Sequence, residues 1–322
     1  MKKNNIKILL VGTGHNGYLA SYVEEQILAL NTLGIQVIRY GITQKGILGY
    51  LRALPNLYRK IRQVQPDVIH AHYGLSGLLA NMQRRIPVVT TYHGSDINIP
   101  KVLRFSKIAM RLSAHNIFVS QRNRAIAFPN QQTYLSPHNL KCSLLPCGVN
   151  LTEDQLRSRS EARTILGIDT NTKVVLFAGA FEDTIKDAPL AQKSIELLGD
   201  PDVSLYELRG YTRQQVNLLM CAANCFLMTS KSEGSPQVVK EAMACGCPIV
   251  SVDVGDVAER LEGIDGCYVV ESRNPKEIKD AVTLAINYVG KTNGRSKIVE
   301  MGLDNQQIAK QLVVIYEKVI HK

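Results

Sequence analysis

Glu233 and Glu241 stand with seven residues between them in "TSKSEGSPQVVKEAMACGCPIVSVDVGDV", residues 229–257, which reads as strand, loop, helix and strand. Ser235 suits the N-cap of that helix, Pro236 its first position, and Gly246 its end. Gly234 lets backbone come close to a ligand at the helix N-terminus, where free amides and the helix dipole favour an anion. Ionised carboxylates only accept hydrogen bonds, so two of them suit a ligand rich in hydroxyl groups. A sugar nucleotide supplies both halves: phosphate for the amides and hydroxyls for the glutamates.

A second anion-binding pattern opens the chain. "KILLVGTGHNG" carries Gly12-x-Gly14-x-x-Gly17 after an apolar run from Ile8 to Val11 and before a helix-like run from Leu19 to Leu33. This is the dinucleotide fingerprint, in which glycines make a tight strand-to-helix turn and the helix N-terminus meets a pyrophosphate. The fingerprint expects an acidic residue at the end of the next strand to hold ribose hydroxyls, but "GIQVIRYGI" ends on Arg39 and Tyr40. An arginine there accepts a 2′-phosphate, which keeps an NADP-dependent oxidoreductase as an alternative reading.

The elements that must position these groups repeat a rhythm. "IKILLVG", "IQVIRYG", "DVIHAHY", "IPVVTTYHG" and "HNIFVSQ" are β-rich runs, with helical patterns at 18–33, 47–64, 75–84 and 101–113. "KVVLFAGA", "VSLYELRG", "CFLMTS" and "PIVSVD" continue the alternation, with helices at 189–198, 212–223, 236–245 and 275–289 and a terminal amphipathic helix in "NQQIAKQLVVIYEKVI". Strands alternating with helices predict parallel sheets covered on both faces, here twice, in a chain of 322 residues that exceeds the size of one usual core. "LLPCGVNLTEDQ", with Pro146 and Gly148, is the linker candidate. Ligands are expected at the C-terminal strand ends, in a cleft between two facing domains.

Charge divides the same way. Residues 1–150 hold 18 Lys and Arg against four acidic residues, Glu24, Glu25, Asp67 and Asp96, a net of +14; the remainder hold 20 against 24, leaving the whole at +10. Arg52, Arg59, Lys60 and Arg62 form one cluster, and Lys101, Arg104, Lys107 and Arg111 another. They predict an anionic partner for the N-terminal half, membrane lipid or a lipid diphosphate, rather than nucleic acid, because no stacking aromatics are interleaved. No run approaches the roughly 18 apolar residues of a membrane span, and the N-terminus reads as a strand rather than a signal peptide. The seven cysteines show no paired CxxC; Cys221 with Cys225, and Cys245 with Cys247, read as free thiols of a reducing cytoplasm rather than a metal or redox site.

Taken together, "EGSP…EAMACG", "PDVIHAHYGLSGLLA" (66–80), "IPVVTTYHGSD" (86–96), "LLPCGVN" and "EARTILGI" resemble the retaining family-4 glycosyltransferases of the GT-B fold, over nearly the whole chain. The resemblance implies two Rossmann-like, doubly wound α/β domains facing a cleft: 1–148 binding the acceptor, 149–304 the donor, and 305–322 a C-terminal helix returning toward the N-terminal domain. It implies a metal-independent hexosyltransferase with no cofactor, using a nucleotide-diphosphate sugar (UDP- or GDP-linked) as co-substrate. It further implies a glycan or lipid-linked acceptor of bacterial surface polysaccharide or glycolipid assembly, and an enzyme expected in the cytoplasm, peripheral on the inner face of the membrane.

Residue by residue, the resemblance places Glu233 on the donor sugar and Glu241 on the nucleotide ribose. Gly234, Ser235, Pro236 and Gln237 lie at the distal phosphate, Lys186 on the departing diphosphate and His93 at the reaction centre. Gly12 and Gly14 face the diphosphate. Lysine and a helix end stabilise charge where it develops, so no metal is required. One departure stands out: the family often has an Arg directly after the glycine that aligns with Gly179, and this chain has Ala180. Arg209 or Arg213 is a candidate substitute, and a non-catalytic sugar-nucleotide-binding protein remains a second alternative. "DPD" at 200–202 reads as a turn rather than a metal motif, His70, His72 and His93 as cleft-lining or packed histidines rather than a zinc set, and Tyr211 as either a base neighbour or a surface residue.

Overall fold

A computed structural model describes residues 6–15, 18–44, 46–129 and 141–321. The chain forms two compact units, Met1–Gly148 together with Asn305–Lys322, and Val149–Asp304. The first unit is built from β1 (Lys7–His15), β2 (Tyr18–Leu19), α1 (Ser21–Thr32), β3 (Gln36–Ile42), α2 (Gly46–Val64), β4 (Val68–His72), α3 (Gly74–Asn81), β5 (Val88–Tyr92), α4 (Ser95–Asn98), α5 (Pro100–Leu112), β6 (His115–Phe118), α6 (Gln121–Ala127) and β7 (Cys142–Leu144). The second contains α7 (Arg159–Leu166), β8 (Lys173–Phe177), α8 (Ala188–Glu196), β9 (Val203–Glu207), α9 (Arg213–Ala222), β10 (Cys225–Met228), α10 (Gln237–Ala244), β11 (Ile249–Val252), α11 (Val257–Leu261), β12 (Cys267–Val270), α12 (Pro275–Ile286) and α13 (Gly294–Glu300); α14 (Asn305–Ile320) belongs to the first.

In the first sheet β1 lies between β3 and β4, followed by β5, β6 and β7, all parallel, with β2 returning antiparallel along the end of β1. In the second the order is β9-β8-β10-β11-β12, parallel throughout. Both are doubly wound: the chain order reverses at β1 in one sheet and at β8 in the other, and parallel sheets bind ligands beyond the carboxyl ends at such points. Every residue of β4 and β5 is buried, as expected for strands covered on both faces.

The core of the first unit has two sides. Ile8, Val68, Val89 and Ile117 pack under Ala29 and Leu30 of α1 and Ile308, Leu312 and Tyr316 of α14. Leu9, Val11, Ile69 and Val88 pack under Ala53, Leu57 and Ile61 of α2 and Leu79 of α3. Thus α2 and α3 share one face, and α3 packs in turn on α5. The second unit has a single large cluster through Val175, Phe177, Phe226, Leu227 and Val250.

Local signals explain most boundaries. Thr212 and Gln215 cap α9 reciprocally, as Ser158 and Glu161 do α7, while Asn274 accepts the Lys276 amide and Pro275 takes the first position of α12. Two expectations need correction. β1 does not stop at Val11 but runs through Gly12 and Gly14, and the helix expected from Leu19 starts at Ser21 after the β2 return. The glycines therefore sit inside an extended strand rather than at a tight strand-to-helix turn; Gly17 lies outside the described residues. β12 went unread because its short run, Cys267–Val270, has neither alternation nor a motif to mark it.

Candidate functional site

The chemistry-bearing side chains of the second unit gather beyond the carboxyl ends of β8 and β10. Lys186, in the loop after β8, donates through Nζ to Glu233 Oε1 at 2.6 Å, with about a fifth of each side chain exposed. The loop is held from below: Thr229 Oγ1 donates to the carbonyls of Lys186 (2.9 Å) and Asp187 (3.0 Å), and Arg273 reaches the carbonyls of Ser230 and Thr229 and the Asp187 carboxylate. Asp187 enters α8 in the left-handed region at φ 56°. Thr229, Asp187 and Arg273 position Lys186, and no local pattern in the sequence marks them.

The loop before α10 differs in detail from its expected form. Pro236, not Ser235, is the N-cap residue, and α10 starts at Gln237 without a side-chain cap. Ser235 Oγ instead receives a hydrogen bond from Nζ of Lys240, a buried lysine one turn into α10, at 3.4 Å. Proline has no N–H, so Pro236 orients the backbone while donors come from Gly234, Ser235 and Gln237. Gly255 supports this loop. At φ 61° it lies so close that a Cβ would stand 2.7 Å from the Gly234 carbonyl oxygen and 3.3 Å from Glu233 Cβ, so only glycine fits. At the other end of the motif Gly246 ends α10 at φ 65°.

Glu241 is 4% exposed and its Oε1 lies 2.7 Å from Nη2 of Arg213, the first residue of α9. Arg209 pairs with Glu182. The two arginines named as substitutes for the residue missing at Ala180 are thus both engaged by carboxylates other than Glu233. "DPD" is a turn, with Asp200 binding Lys173 and capping the Asp202 amide. Tyr211 is 43% exposed on the surface.

In the first unit, β4 and β5 end side by side and bring His72 and His93 together. His72 Nδ1 and His93 Nε2 are 2.8 Å apart with their rings stacked, and His93 Nδ1 lies 3.8 Å from Cys147 Sγ. Burial pushes His72 down to about 3 and His70 well below its ordinary value, so both rings are neutral at physiological pH. His70 is fixed between Tyr316 Oη of α14 (2.7 Å) and Thr91 Oγ1 (2.8 Å). The histidines are packed; among the described residues no group of His, Cys, Asp or Glu is arranged to hold a metal ion.

Three residues here were missed in the sequence. Asp96, fully buried, accepts the backbone N–H groups of His93, Gly94 and Gly74, and burial lifts its carboxyl to about 6 against those hydrogen bonds. Tyr73 holds φ 73°, a rare conformation for a bulky residue that costs on the order of 1–3 kcal/mol. Its hydroxyl meets Tyr22 Oη at 2.9 Å, and both rings lie against His93. The only local signal was position: Tyr73 directly follows β4, and Asp96 follows His93 by three residues.

Beside them, Thr13, Tyr18, Tyr50, Tyr73, Ile99 and Val102 line a cavity of about 600 Å³ to which Gly14 also contributes. Among the described residues no Lys or Arg lines it. A Cβ on Gly14 would meet the Tyr18 carbonyl oxygen at 2.5 Å, so this glycine permits the β1–β2 return; Gly12 has ordinary space around it. Arg39, the residue on which a 2′-phosphate site depended, is held by Glu24, with Nη2 2.7 Å from Oε2.

Two doubly wound parallel-sheet units with ligand-competent loops at their switch points define the GT-B class of protein. Sucrose-phosphate synthase from Thermosynechococcus elongatus superposes with a TM-score of 0.77 at 16% identity, covering 98% of this chain and 99% of that one. HepE of Anabaena, solved with UDP and glucose, superposes at 0.69 and 18%, covering 98% of each. Residues 3–153 match the model of glycosyltransferase family 4 and residues 175–287 that of the group 1 glycosyl transferases. The chain belongs to this glycosyltransferase family.

Among curated relatives, TuaC of Bacillus subtilis, a glycosyltransferase assigned to teichuronic acid biosynthesis, is 26% identical over 248 residues, covering 70% of this chain and 62% of TuaC. An Escherichia coli UDP-Gal:α-D-GlcNAc-diphosphoundecaprenol α-1,3-galactosyltransferase is 23% identical, covering 62% of this chain and 61% of its own. The chain thus spans less than two thirds of the length of these relatives. The two family models, relatives and structures named above give no support to the oxidoreductase that the glycine fingerprint raised.

Proposed function

We propose that the protein is a retaining, metal-independent hexosyltransferase that moves a sugar from a UDP- or GDP-linked donor to a glycan or lipid-linked acceptor. The observation that carries this reading is the Lys186–Glu233 pair at the loop before α10, in the same unit as Glu241. A cation for the departing diphosphate and a carboxylate for sugar hydroxyls stand side by side, where the sugar–phosphate bond must lie. Family membership supports retention, and the relatives named for bacterial polysaccharide and diphosphoundecaprenol chemistry support the setting.

Calorimetry with UDP and GDP tests the donor assignment. Glu241, held by Arg213 at the start of α9, is the carboxylate that this reading assigns to the ribose hydroxyls. Hydrogen bonds to a charged group are worth about 1.5–3 kcal/mol, so Glu241→Ala is expected to weaken nucleoside diphosphate binding about 10- to 100-fold, while Glu233→Ala leaves it largely intact and impairs transfer. Equal nucleoside diphosphate affinity in wild type and the Glu241 variant, at unchanged melting temperature, overturns the assignment. Ala180 favours one second reading, a sugar-nucleotide-binding protein without turnover. Donor hydrolysis by the purified protein excludes it.

The acceptor belongs to the first unit on this reading. Its tyrosine-lined cavity suits an uncharged sugar ring, and basic helices border it: Tyr50 comes from α2 and Val102 from α5. On those helices Arg52, Arg59 and Arg62, and Lys101, Arg104, Lys107 and Arg111, are all exposed. Since α2, α3 and α5 cover the same face of the sheet, this is the surface to meet anionic lipid at the inner face of the membrane, with the protein otherwise in the cytoplasm. Among the described residues no helix is long and apolar enough to cross a membrane.

Each cation near an anionic surface contributes about 1 kcal/mol, fading within a Debye length of roughly 8–10 Å. Binding is expected to anionic vesicles, not to zwitterionic ones, and to be reversed by high salt. Replacing Lys101, Arg104, Lys107 and Arg111 by Gln is expected to release the protein with nucleotide binding unchanged. Co-sedimentation of wild type and the four-Gln variant in equal amounts makes α5 an ordinary solvated helix.

A further inference from the structure

The amino ends of β10 and β11 lie at the opposite edge of the second sheet from Lys186 and Glu233. There a cavity of about 520 Å³ is lined by Cys221, Cys245 and Cys247 together with Arg159, Arg163 and Lys291. Cys221 is the penultimate residue of α9; Cys245 is the C-cap of α10, and its Sγ lies 3.7 Å from the carbonyl oxygen of Asn217, one turn before Cys221 on α9. Lys291 brings Nζ to 3.9 Å from Cys221 Sγ while donating to the Gln155 carbonyl at 2.9 Å.

The cysteines are unequal. The Cys245 hydrogen bond and the Lys291 and Arg157 charges hold Cys221 down at about 7. Cys245 is raised well above the usual thiol range by the same hydrogen bond and by burial; burial, with neighbouring thiols, raises Cys225 and Cys247, and burial raises Cys267. A low-pKa thiolate reached through a cavity, next to a second thiol, is the arrangement that reactive and resolving cysteines share.

We propose that Cys221 and Cys245 form a reversible thiol–disulfide pair in which Cys221 is the sulfur attacked by a small peroxide and Cys245 the resolving thiol. The Cys221 thiolate attacks one peroxide oxygen, the O–O bond breaks, and the departing hydroxide takes a proton to become water, leaving Cys221 as the sulfenic acid. Cys245 sulfur then attacks Cys221 sulfur. The S–O bond breaks, the Cys245 proton leaves with the hydroxide as water, and the S–S bond closes. The peroxide is reduced by two electrons and the two thiols are oxidised by two. A dithiol reductant reverses the bridge by exchange. The bridge ties α9 to α10, the helices that carry Arg213 and Glu241. The proposal stands independently of the transferase reading.

The test uses the folded full-length protein, a small excess of hydrogen peroxide, and alkylation after quenching and denaturation. Two of the seven cysteines are expected to become unreactive, with fragment spectra of the linked peptides joining Cys221 to Cys245, and dithiothreitol is expected to restore both. Cys245→Ser is expected to leave Cys221 as a sulfenic acid that labels with dimedone, and Cys142→Ser, which alters a more exposed cysteine, to change nothing. The proposal fails if wild-type Cys221 and Cys245 stay alkylatable while Cys142 oxidises. It fails equally if the bond found joins Cys245 to Cys247.

Discussion

Lys186→Ala is expected to lower kcat for sugar transfer about 10²- to 10³-fold, the usual loss when one preorganised group that stabilises developing charge is removed. The position favours a large effect. The family's companion cation is absent at Ala180, and Arg209 and Arg213 are engaged by Glu182 and Glu241. On the proposed reading Lys186 is therefore the cation for the departing diphosphate, and Thr229 and Arg273 hold its loop in place. Folding should survive the change, because the Glu233 carboxylate left behind keeps contact with water, and an unchanged melting temperature checks this. EDTA is expected to leave wild-type transfer unchanged. Steady-state kinetics with a panel of UDP- and GDP-sugars decides the matter: a kcat within a few-fold of wild type, or a divalent-metal requirement in the wild type, sinks the mechanism.

The first unit is expected to lose stability steeply as pH falls from 6.5. His70 and His72 are buried and neutral, with His72 held down at about 3, whereas in the unfolded chain each takes a proton near 6.5. The unfolded state then binds more protons than the native one, so stability is complete above pH 6.5 and is lost as pH falls toward the native values, at about 1.4 kcal/mol per pH unit for each histidine. Asp96 acts in the opposite sense. Its carboxyl, lifted to about 6, keeps a proton in the native state that the unfolded chain has released, so between pH 6 and 4 it offsets one of the two histidines. The net slope is about 1–1.5 kcal/mol per unit between pH 6.5 and 5. Hydrogen exchange of the β4 amides, Val68–His72, reads this unit separately from the other. Protection that is flat or rising as pH falls from 6.5 to 5 would contradict the assignment, and a His70→Gln, His72→Gln double variant is expected to abolish the fall and leave the opposite slope of Asp96.

Much of the fold was legible because it is written locally. Alternating β-rich runs and amphipathic periods placed most of the strands and long helices within a few residues, since burial on both faces and the helical repeat are properties of a segment. The exceptions are also local. A strand carried through Gly12 and Gly14 and a β2 of two residues cannot be separated from a glycine-rich turn by composition, and β12 is too short to announce itself.

By itself, the sequence determined the element order, the basic character of one half and the loop-plus-helix frame around Glu233 and Glu241. Tertiary structure alone decided which groups meet. Lys186 and Glu233 are 47 residues apart and touch because β8 and β10 are neighbours in the sheet, which depends on the order of crossovers rather than on any local signal. His70 and Tyr316, 246 residues apart, meet because α14 folds back onto the first unit, and His72 meets His93 because β4 and β5 end at the same level. Partner choice also set the charge states: burial beside the right neighbours, not residue type, makes two histidines neutral, lifts Asp96 and lowers Cys221 while raising Cys142, Cys225, Cys245, Cys247 and Cys267.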